Sequence, residues 1–465
     1  MSLEFWDSSI WSYGLIITAI RDAIEGNIHY SIYLTILLIL AWLNNLIRER
    51  PVFRHGSAPQ IVGGLLSVPT ALVALESNHA FDSLLITITF AFLFLLSKQR
   101  FPTLDFKFSI AILIGFPCLV SFVSNQNIII SLATILFSSF VITVLMRRAP
   151  GSFTVGEAIM VATLSGLPIR AVIDFENPLV QIDSALVLDG LLCLCMGLLI
   201  RRPICIVFGL LPSYFAFYHY KYLLQFIFDI KRIAIIVYCA AVCVIFILIS
   251  VFWKGLSKFP QIVQRKFFHI MALLVFIVPV SVDVILMRFA ISGAIYLFLF
   301  VEMLRLTRFP FVATMIESYV GDFLDDRDSG ELILTHLFLL LGCGLPVIFS
   351  YGEGFGGLAC KVCGISVLAI GDAAASAIGI KFGKHKWPGS KKSIEGTLGA
   401  FVGTWITIIV LTSVGVLKVD IIKSLLLSIP SLVGALDEAF TSQIDNLTLP
   451  FAILPFVVVC MNLRF

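Results

Sequence analysis

The residues best equipped for chemistry crowd between Ile365 and Gly399. Lys381, Lys384, Lys386, Lys391 and Lys392 lie close together there, with His385 among them. Gly383 and Gly389 allow backbone to approach a ligand, and Trp387-Pro388-Gly389 reads as a turn. Ser390 and Ser393 add hydroxyls, and Glu395 re-enters apolar sequence directly behind the lysines. Ammonium groups at this density suit a phosphate held at a membrane surface. Cationic loops also orient membrane proteins, but five lysines exceed what orientation needs. Upstream, Asp372, Ser376, Gly379 and Gly383 recur at i, i+4, i+7 and i+11. Small residues in such a stripe suit a close helix contact. They do not explain Asp372, whose carboxylate is costly in a membrane helix. The stretch is not a P-loop, because Gly379 and Gly383 are separated by three residues and no Ser or Thr follows Lys384.

Three further polar clusters follow residue 254. Arg265, Lys266 and His269 share one helix face; an orienting anchor would account for the first two alone, but His269 lies deeper in apolar sequence and tilts the trio towards a site. Asp325, Asp326, Asp328 and Glu331 surround Arg327, and a helix there would align Asp328, Glu331 and Thr335. Grouped carboxylates suit a divalent cation that keeps waters and substrate oxygens, or the acidic first turn of a helix capped by Ser329. The last cluster, Leu436–Leu447, would align Glu438, Thr441 and Asp445 on one helical face between apolar runs. That pattern suits a functional site or a structural hydrogen-bond network. Glu157, Arg170 and Asp174 could line a polar cavity, but each lies near a span boundary and the expectation is a solvated loop end.

The elements that must position these groups are membrane helices. The 465 residues are 59% hydrophobic and 13% charged, with mean hydropathy +1.03, against about 25% charged residues in soluble domains. Apolar runs recur throughout without strand-like alternation, so the expected fold is all-α, a polytopic transmembrane helical bundle of about 14–16 spans. A net charge of +3 suggests no nucleic-acid partner. The acids of Met1–Ser9 do not resemble a basic signal-peptide start. Ten cysteines fall mostly in apolar runs as small hydrophobes, and the Cys360/Cys363 pair has no second pair to complete a zinc site. The 41 phenylalanines suit a lipid groove and ordinary spans alike. Residues 1–250 read as membrane scaffold and residues 251–465 as the part that carries chemistry.

From about Arg265 to Pro450 the chain resembles the dolichol kinase family of CTP-dependent polyprenol kinases. The resemblance rests on R-K-F-F-H, F-L-D-D-R-D-S-G-E-L-I-L-T-H, G-D-A-A-A-S-A-I-G, W-P-G-S-K-K-S-I-E-G and T-S-Q-I-D-N-L-T-L-P, in that order. The R-D-S-G-x-L-I-L-T-H piece favours this branch over phytol kinases, which share a looser pattern. Other CTP-using lipid transferases carry lysine–Thr–x–Glu–Gly, of which Lys392-Ser393-Ile394-Glu395-Gly396 is a serine variant that keeps the hydroxyl.

The resemblance implies transfer of the γ-phosphoryl group of CTP to the hydroxyl of dolichol, giving dolichyl phosphate for protein glycosylation. It implies an endoplasmic reticulum membrane, with the CTP site facing the cytoplasm. Gly379, Gly383, Lys384, His385, Lys386, Trp387, Pro388, Gly389, Ser390, Lys391, Lys392, Ser393 and Glu395 become the expected nucleotide site. Within it the lysines meet phosphate and Trp387 offers a stack for cytosine. Asp372 and Glu395 are the expected ligands of a divalent cation, Mg2+ by its usual pairing with nucleotides. Asp325 and Asp328 are candidates for a second cation or for the hydroxyl proton, and Arg265 and His269 for orienting phosphate. Rival readings are a CTP:phosphatidate cytidylyltransferase, a kinase of shorter prenyl alcohols, and a transporter using the acids as an ion path. Sequence leaves the catalytic base and the oligomeric state open.

Overall fold

The computed structural model describes residues 3–45, 61–75, 77, 79–95, 106–124, 126–174, 177–210, 219–256, 261–320, 330–350, 357–414, 421–441 and 443–462. The protein is an all-α polytopic bundle. Its helices run α1 (Leu3–Ile24), α2 (Ile28–Asn45), α3 (Ile61–Ala74), α4 (Ala80–Leu95), α5 (Phe106–Val123), α6 (Ile128–Arg148), α7 (Val155–Asp174) and α8 (Pro178–Ile200). After a 3-10 segment at Pro203–Leu210 come α9 (Tyr220–Ile227), α10 (Ile230–Leu256), α11 (Gln261–Val282), α12 (Val284–Leu306), α13 (Val312–Val320) and α14 (Thr335–Phe349). The last group is α15 (Gly357–Phe382), α16 (Ile394–Val414), α17 (Ile421–Leu426), α18 (Ser428–Phe440) and α19 (Asp445–Asn462).

Eight of the described helices are long and apolar enough to cross a membrane, and six shorter apolar helices accompany them. The expected 14–16 spans are approached only if the short ones cross too. Side-chain caps start several helices. Asn127 accepts from the Ile129 and Ile130 amides, Asn177 from Leu179, and Asp283 from Leu286, each satisfying an amide that a helix start leaves open. One continuous apolar core runs from Trp11 and Leu15 through Leu65 and Ile159 to Leu368 and Val458, so residues on both sides of position 250 share it.

Buried charge pairs lie inside this bundle. Arg170 grips Asp82 through Nε and Nη2 at 2.5 and 2.9 Å. Glu157 is fully buried, accepting from the Thr154 amide in its own first turn and from the Ile444 amide of the distant C-terminal segment. Both were expected at solvated loop ends. The cost of an unpaired charge in apolar surroundings is instead met by specific partners, and Glu157 ties α7 to the start of α19. The side chain of Asp174 lies outside the described residues.

Two expected helical faces do not form as drawn. Thr441 takes φ −70°, ψ 141° and ends α18, so Glu438 sits in the last turn of one helix and Asp445 at the start of the next. Glu331 precedes α14 and pairs with Arg201 at 2.5 Å, which removes it from a common face with Thr335.

Candidate functional site

α15 carries the first half of the site. Its α-helical hydrogen bonding is interrupted by a π segment at Ser366–Gly371, directly before Asp372. Such bulges shift the register of the side chains that follow and occur often at functional sites. The turns after it, Asp372–Phe382, lie against α16 through the expected small residues. A Cβ added at Gly379 would stand 3.2 Å from Ser393 Oγ and 3.6 Å from the Gly396 Cα. The stripe therefore does what its spacing implied, letting two backbones approach closely.

Asp372 is 6% exposed and points at α11. Its Oδ2 accepts from Lys266 Nζ and lies 3.2 Å from His269 Nε2. Lys266 and His269, three residues apart, reach it from one face as expected of the R-K-F-F-H stretch. Phe268, between them, meets the His336 ring edge-on at 5.5 Å between centroids. The sequence leaves Lys266 open between an orienting anchor and a site residue; the structure makes it the direct cationic partner of Asp372.

The lysine loop folds as a small clip between α15 and α16. Lys386 and Ser393 form an antiparallel bridge, the Trp387 amide donates to the Lys392 carbonyl at 3.1 Å, and the Ile394 amide donates to the His385 carbonyl at 2.8 Å. Gly389 supplies the turn with φ +78°, a backbone conformation that L side chains rarely adopt. Trp387 pins the clip down: Nε1 donates to Thr397 Oγ1 at 2.9 Å, and its ring meets Phe440 at 5.1 Å and 61°. Ser390 Oγ adds a bond to the Ala439 carbonyl. Ser393 caps α16 by accepting from the Gly396 amide at 3.1 Å.

The clip brings Lys392 onto α18. Lys392 Nζ donates to Glu438 Oε1 at 2.7 Å, the lysine side chain being 37% exposed and the glutamate 6%. Burial alone would lower the Lys392 ammonium, but Glu438, Asp445 and Asp372 outweigh it and hold its pKa above the ordinary lysine value. Burial pushes the Glu438 carboxyl up to about 7, against the pull of Lys392. Lys392 thus links electrostatically the Asp372 group on one side and Glu438 on the other. Glu438 was singled out in the sequence but not placed in the site. The signal was an acid between two apolar runs; what was missing was the long-range pairing with the clip.

Between these groups opens a cavity of about 550 Å³, within the usual range of ligand pockets. One wall is Ser376, Gly379 and Gly383 of α15 and its end. Lys386, Lys391, Lys392 and Ser393 form another, with Gly396, Thr397 and Glu438 closing it. Ser376 lies one turn beyond Asp372, while Asp372, Lys266 and His269 are not themselves among the lining residues.

Other expected residues fall elsewhere. Lys384, His385 and Pro388 are exposed on the clip. Glu395 accepts from the His385 amide and lies 2.7 Å from His385 Nδ1, holding the clip's base while Asp372 faces Lys266 and His269. Asp325 and Asp328 lie outside the described residues, as does the side chain of Arg265. Among the described residues no three His, Cys, Asp or Glu side chains converge as a metal cage.

No family model and no solved structure matches the chain. Among curated proteins, dolichol kinase EVAN of Arabidopsis thaliana is 31% identical over 254 residues, covering 51% of this chain and 44% of its own length. Human dolichol kinase is 32% identical over 250 residues, covering 50% and 46%. The Saccharomyces cerevisiae dolichol kinase is 33% identical over 205 residues, covering 43% and 36%. The chain therefore matches less than half the length of each of these relatives. Over about half its length the chain is thus similar to dolichol kinases, and the R-K-F-F-H, G-D-A-A-A-S and W-P-G-S-K-K stretches meet through Lys266, Asp372 and Lys392.

Proposed function

We propose that the protein is a CTP-dependent dolichol kinase, transferring the γ-phosphoryl group of CTP to the hydroxyl of dolichol and releasing CDP. The observation that carries this reading is the junction of a lysine-lined cavity with a buried carboxylate at the end of apolar helices. A nucleotide comes from water and a polyprenol from the bilayer, so their reacting ends must meet at such a junction.

Phosphoryl transfer depends on alignment and on neutralising charge on the phosphate oxygens. Lys386, Lys391 and Lys392 supply positive charge around the cavity, and the capped start of α16 adds the positive end of a helix dipole. Lys266 and His269 hold Asp372 in one orientation, where it can accept the hydroxyl proton or meet a cation arriving with the nucleotide. A Mg2+ ion keeps several waters and uses few protein oxygens, so a single carboxylate beside the cavity fits it. When bound, the ion would neutralise charge on the phosphates.

The basic residues support a cytoplasm-facing site. Arg201 reaches Glu331, and the Leu332 amide donates to Ser152 Oγ, just past Arg147-Arg148. Both contacts lie at the end of α14 where His336 touches Phe268. Positive residues collected at one end of a bundle favour the cytoplasmic side, here of the endoplasmic reticulum, where dolichyl phosphate would serve glycosylation precursors.

The test is phosphorylation of dolichol by purified protein in liposomes, with CTP or ATP as donor, with and without chelator. Chelator-sensitive, CTP-dependent formation of dolichyl phosphate is expected. CDP-diacylglycerol formed from added phosphatidate as the only lipid product would instead make the protein a cytidylyltransferase.

A further inference from the structure

The end of α18 holds the lysine clip by three contacts: Glu438 with Lys392, the Ala439 carbonyl with Ser390, and the Phe440 ring with Trp387. Whatever places that helix end therefore places the clip. The chain leaves the helix at Thr441 and starts α19 at Asp445. Such a break frees backbone amides, which must find partners elsewhere. Thr441 Oγ1 accepts from the Gln443 amide at 3.2 Å, and Glu157 Oε1 accepts from the Ile444 amide at 2.8 Å. The second bond spans 287 residues of sequence.

Local sequence orients Glu157 for that bond. Thr154-Val155-Gly156-Glu157 is a capping box: Thr154 Oγ1 accepts from the Glu157 amide at 3.2 Å, and Glu157 Oε2 accepts from the Thr154 amide at 2.9 Å. One carboxylate oxygen is thus held by the start of α7, and the other is presented to the break. The N-terminal helices pack closely around it. A Cβ at Gly64 of α3 would stand 2.5 Å from the Gly156 Cα, so the two backbones touch beside Glu157. A Cβ at Gly63 would stand 2.9 Å from Trp11 Nε1 and 3.1 Å from Gln443 Nε2, so α1 and α3 border the break as well. Glu157 and Gln443 are both fully buried, and a hydrogen bond to a charged group is stronger than one between neutral groups. On the other side of the break, Glu438 and Asp445 both keep the Lys392 ammonium charged, Glu438 by direct contact and Asp445 through space.

We propose that Glu157 is a positioning residue of the phosphate site, holding the Thr441–Asp445 break so that Glu438 and Asp445 set the Lys392 ammonium at the cavity. This rests on the kinase reading above for what Lys392 then binds. It gives the N-terminal half, which the sequence presents as scaffold, a part in the reaction.

The test compares Glu157→Gln with Thr154→Ala, each in the full chain in nanodiscs. The first keeps the shape of the side chain and turns one of its two acceptors into a donor. The second removes the capping hydroxyl and leaves both carboxylate bonds, so it reports a loss of α7 stability alone. Brief labelling with acetic anhydride, read by mass spectrometry, gives the reactivity of Lys392 relative to the exposed Lys391. Paired with Glu438, Lys392 should label more slowly than Lys391 in the unmodified protein. Glu157→Gln should raise the ratio severalfold and weaken CTP binding about tenfold, or ~1.4 kcal/mol, while Thr154→Ala leaves both near their original values. An unchanged ratio in Glu157→Gln, or equal changes in the two variants, would overturn the proposal. Hydrogen exchange of the unmodified protein covers a Glu157→Gln that fails to fold. Linked sites stabilise each other reciprocally, so CTP should slow exchange in residues 153–158 and 443–447 as well as in the clip. Slowing confined to the clip would overturn the proposal. If the unmodified protein binds no CTP, the kinase reading fails by itself, and the labelling ratio still reports whether Glu157 sets Lys392.

Discussion

Replacing Asp372 by Asn should separate what this carboxylate does for folding from what it does for chemistry. The substitution keeps the shape and removes the charge that faces Lys266 and His269. Removing one partner of a fully buried ion pair costs about 3–5 kcal/mol. Here the Lys266 side chain is 22% exposed, so it can turn its ammonium towards water. We therefore expect a loss of about 1–3 kcal/mol, which leaves the protein folded. Loss of a general base alone would lower the rate by about 10²–10⁴, and loss of the partner that orients Lys266 and His269 adds to it. Activity should thus fall at least a hundredfold while thermal unfolding in detergent shifts by only a few degrees. Lys266→Met with Asp372→Asn extends the test. In stability the double variant should lose less than the sum of the single losses, because neither charge is left unpaired. In activity it should be no better than Asp372→Asn. An Asp372→Asn protein that keeps activity within about threefold of the original would refute the placement of Asp372 at the reacting centre.

Three other expectations address the clip and its partner. Trp387→Ala removes the Phe440 contact and the Thr397 bond; because the ring is only half-buried, we expect about 1–3 kcal/mol of local loosening, seen as weaker CTP binding and faster proteolysis within residues 383–393. Gly383→Ala would place a Cβ 2.2 Å from the Gly379 carbonyl oxygen and 2.6 Å from Ser393 Oγ, forcing the clip away from α15; CTP binding by calorimetry should weaken more than thermal stability falls. Glu438 carries a pKa raised to about 7 from the ordinary glutamate value near 4.3, so the folded state binds its proton more readily than the unfolded state. The contribution of this carboxyl to stability should therefore be full below about pH 4 and be lost as pH rises through about 7. Glu438→Gln should flatten that decline in melting curves taken from pH 5 to 8, and an unchanged slope would show that another group sets it.

Much of the bundle was legible because membrane helices announce themselves by length and apolarity. The small-residue stripe of α15 was legible for a related reason: Gly379 and Gly396 make sense only where backbones touch. The site was legible as clusters and less so as pairs. His269 and Asp372 were each picked out as polar residues with no packing reason to be where they are. Their meeting depends on α11 crossing α15 over a separation of about a hundred residues, which no local pattern encodes. Lys266 stays open between anchor and site in the sequence because orienting lysines and catalytic lysines look alike in one dimension. Glu438 and Asp445 were drawn on one helix because no Pro or Gly marks the break that Thr441 makes. Glu157 and Arg170 were misplaced for the opposite reason. A charge near a span boundary usually reaches water, and only the fold supplies the Ile444 amide and Asp82 that let these two stay buried.

The central claim is that the γ-phosphoryl group leaves the nucleotide for a lipid hydroxyl at the Asp372–Lys392 junction. Purified protein in liposomes, given dolichol and CTP labelled separately at the α and γ phosphates, tests it most directly. Label should reach the lipid from the γ position only, with α label recovered in CDP, and Lys391→Ala with Lys392→Ala should abolish the transfer. Label reaching the lipid from the α position, with release of pyrophosphate, or transfer unaffected by the double substitution, would contradict the account.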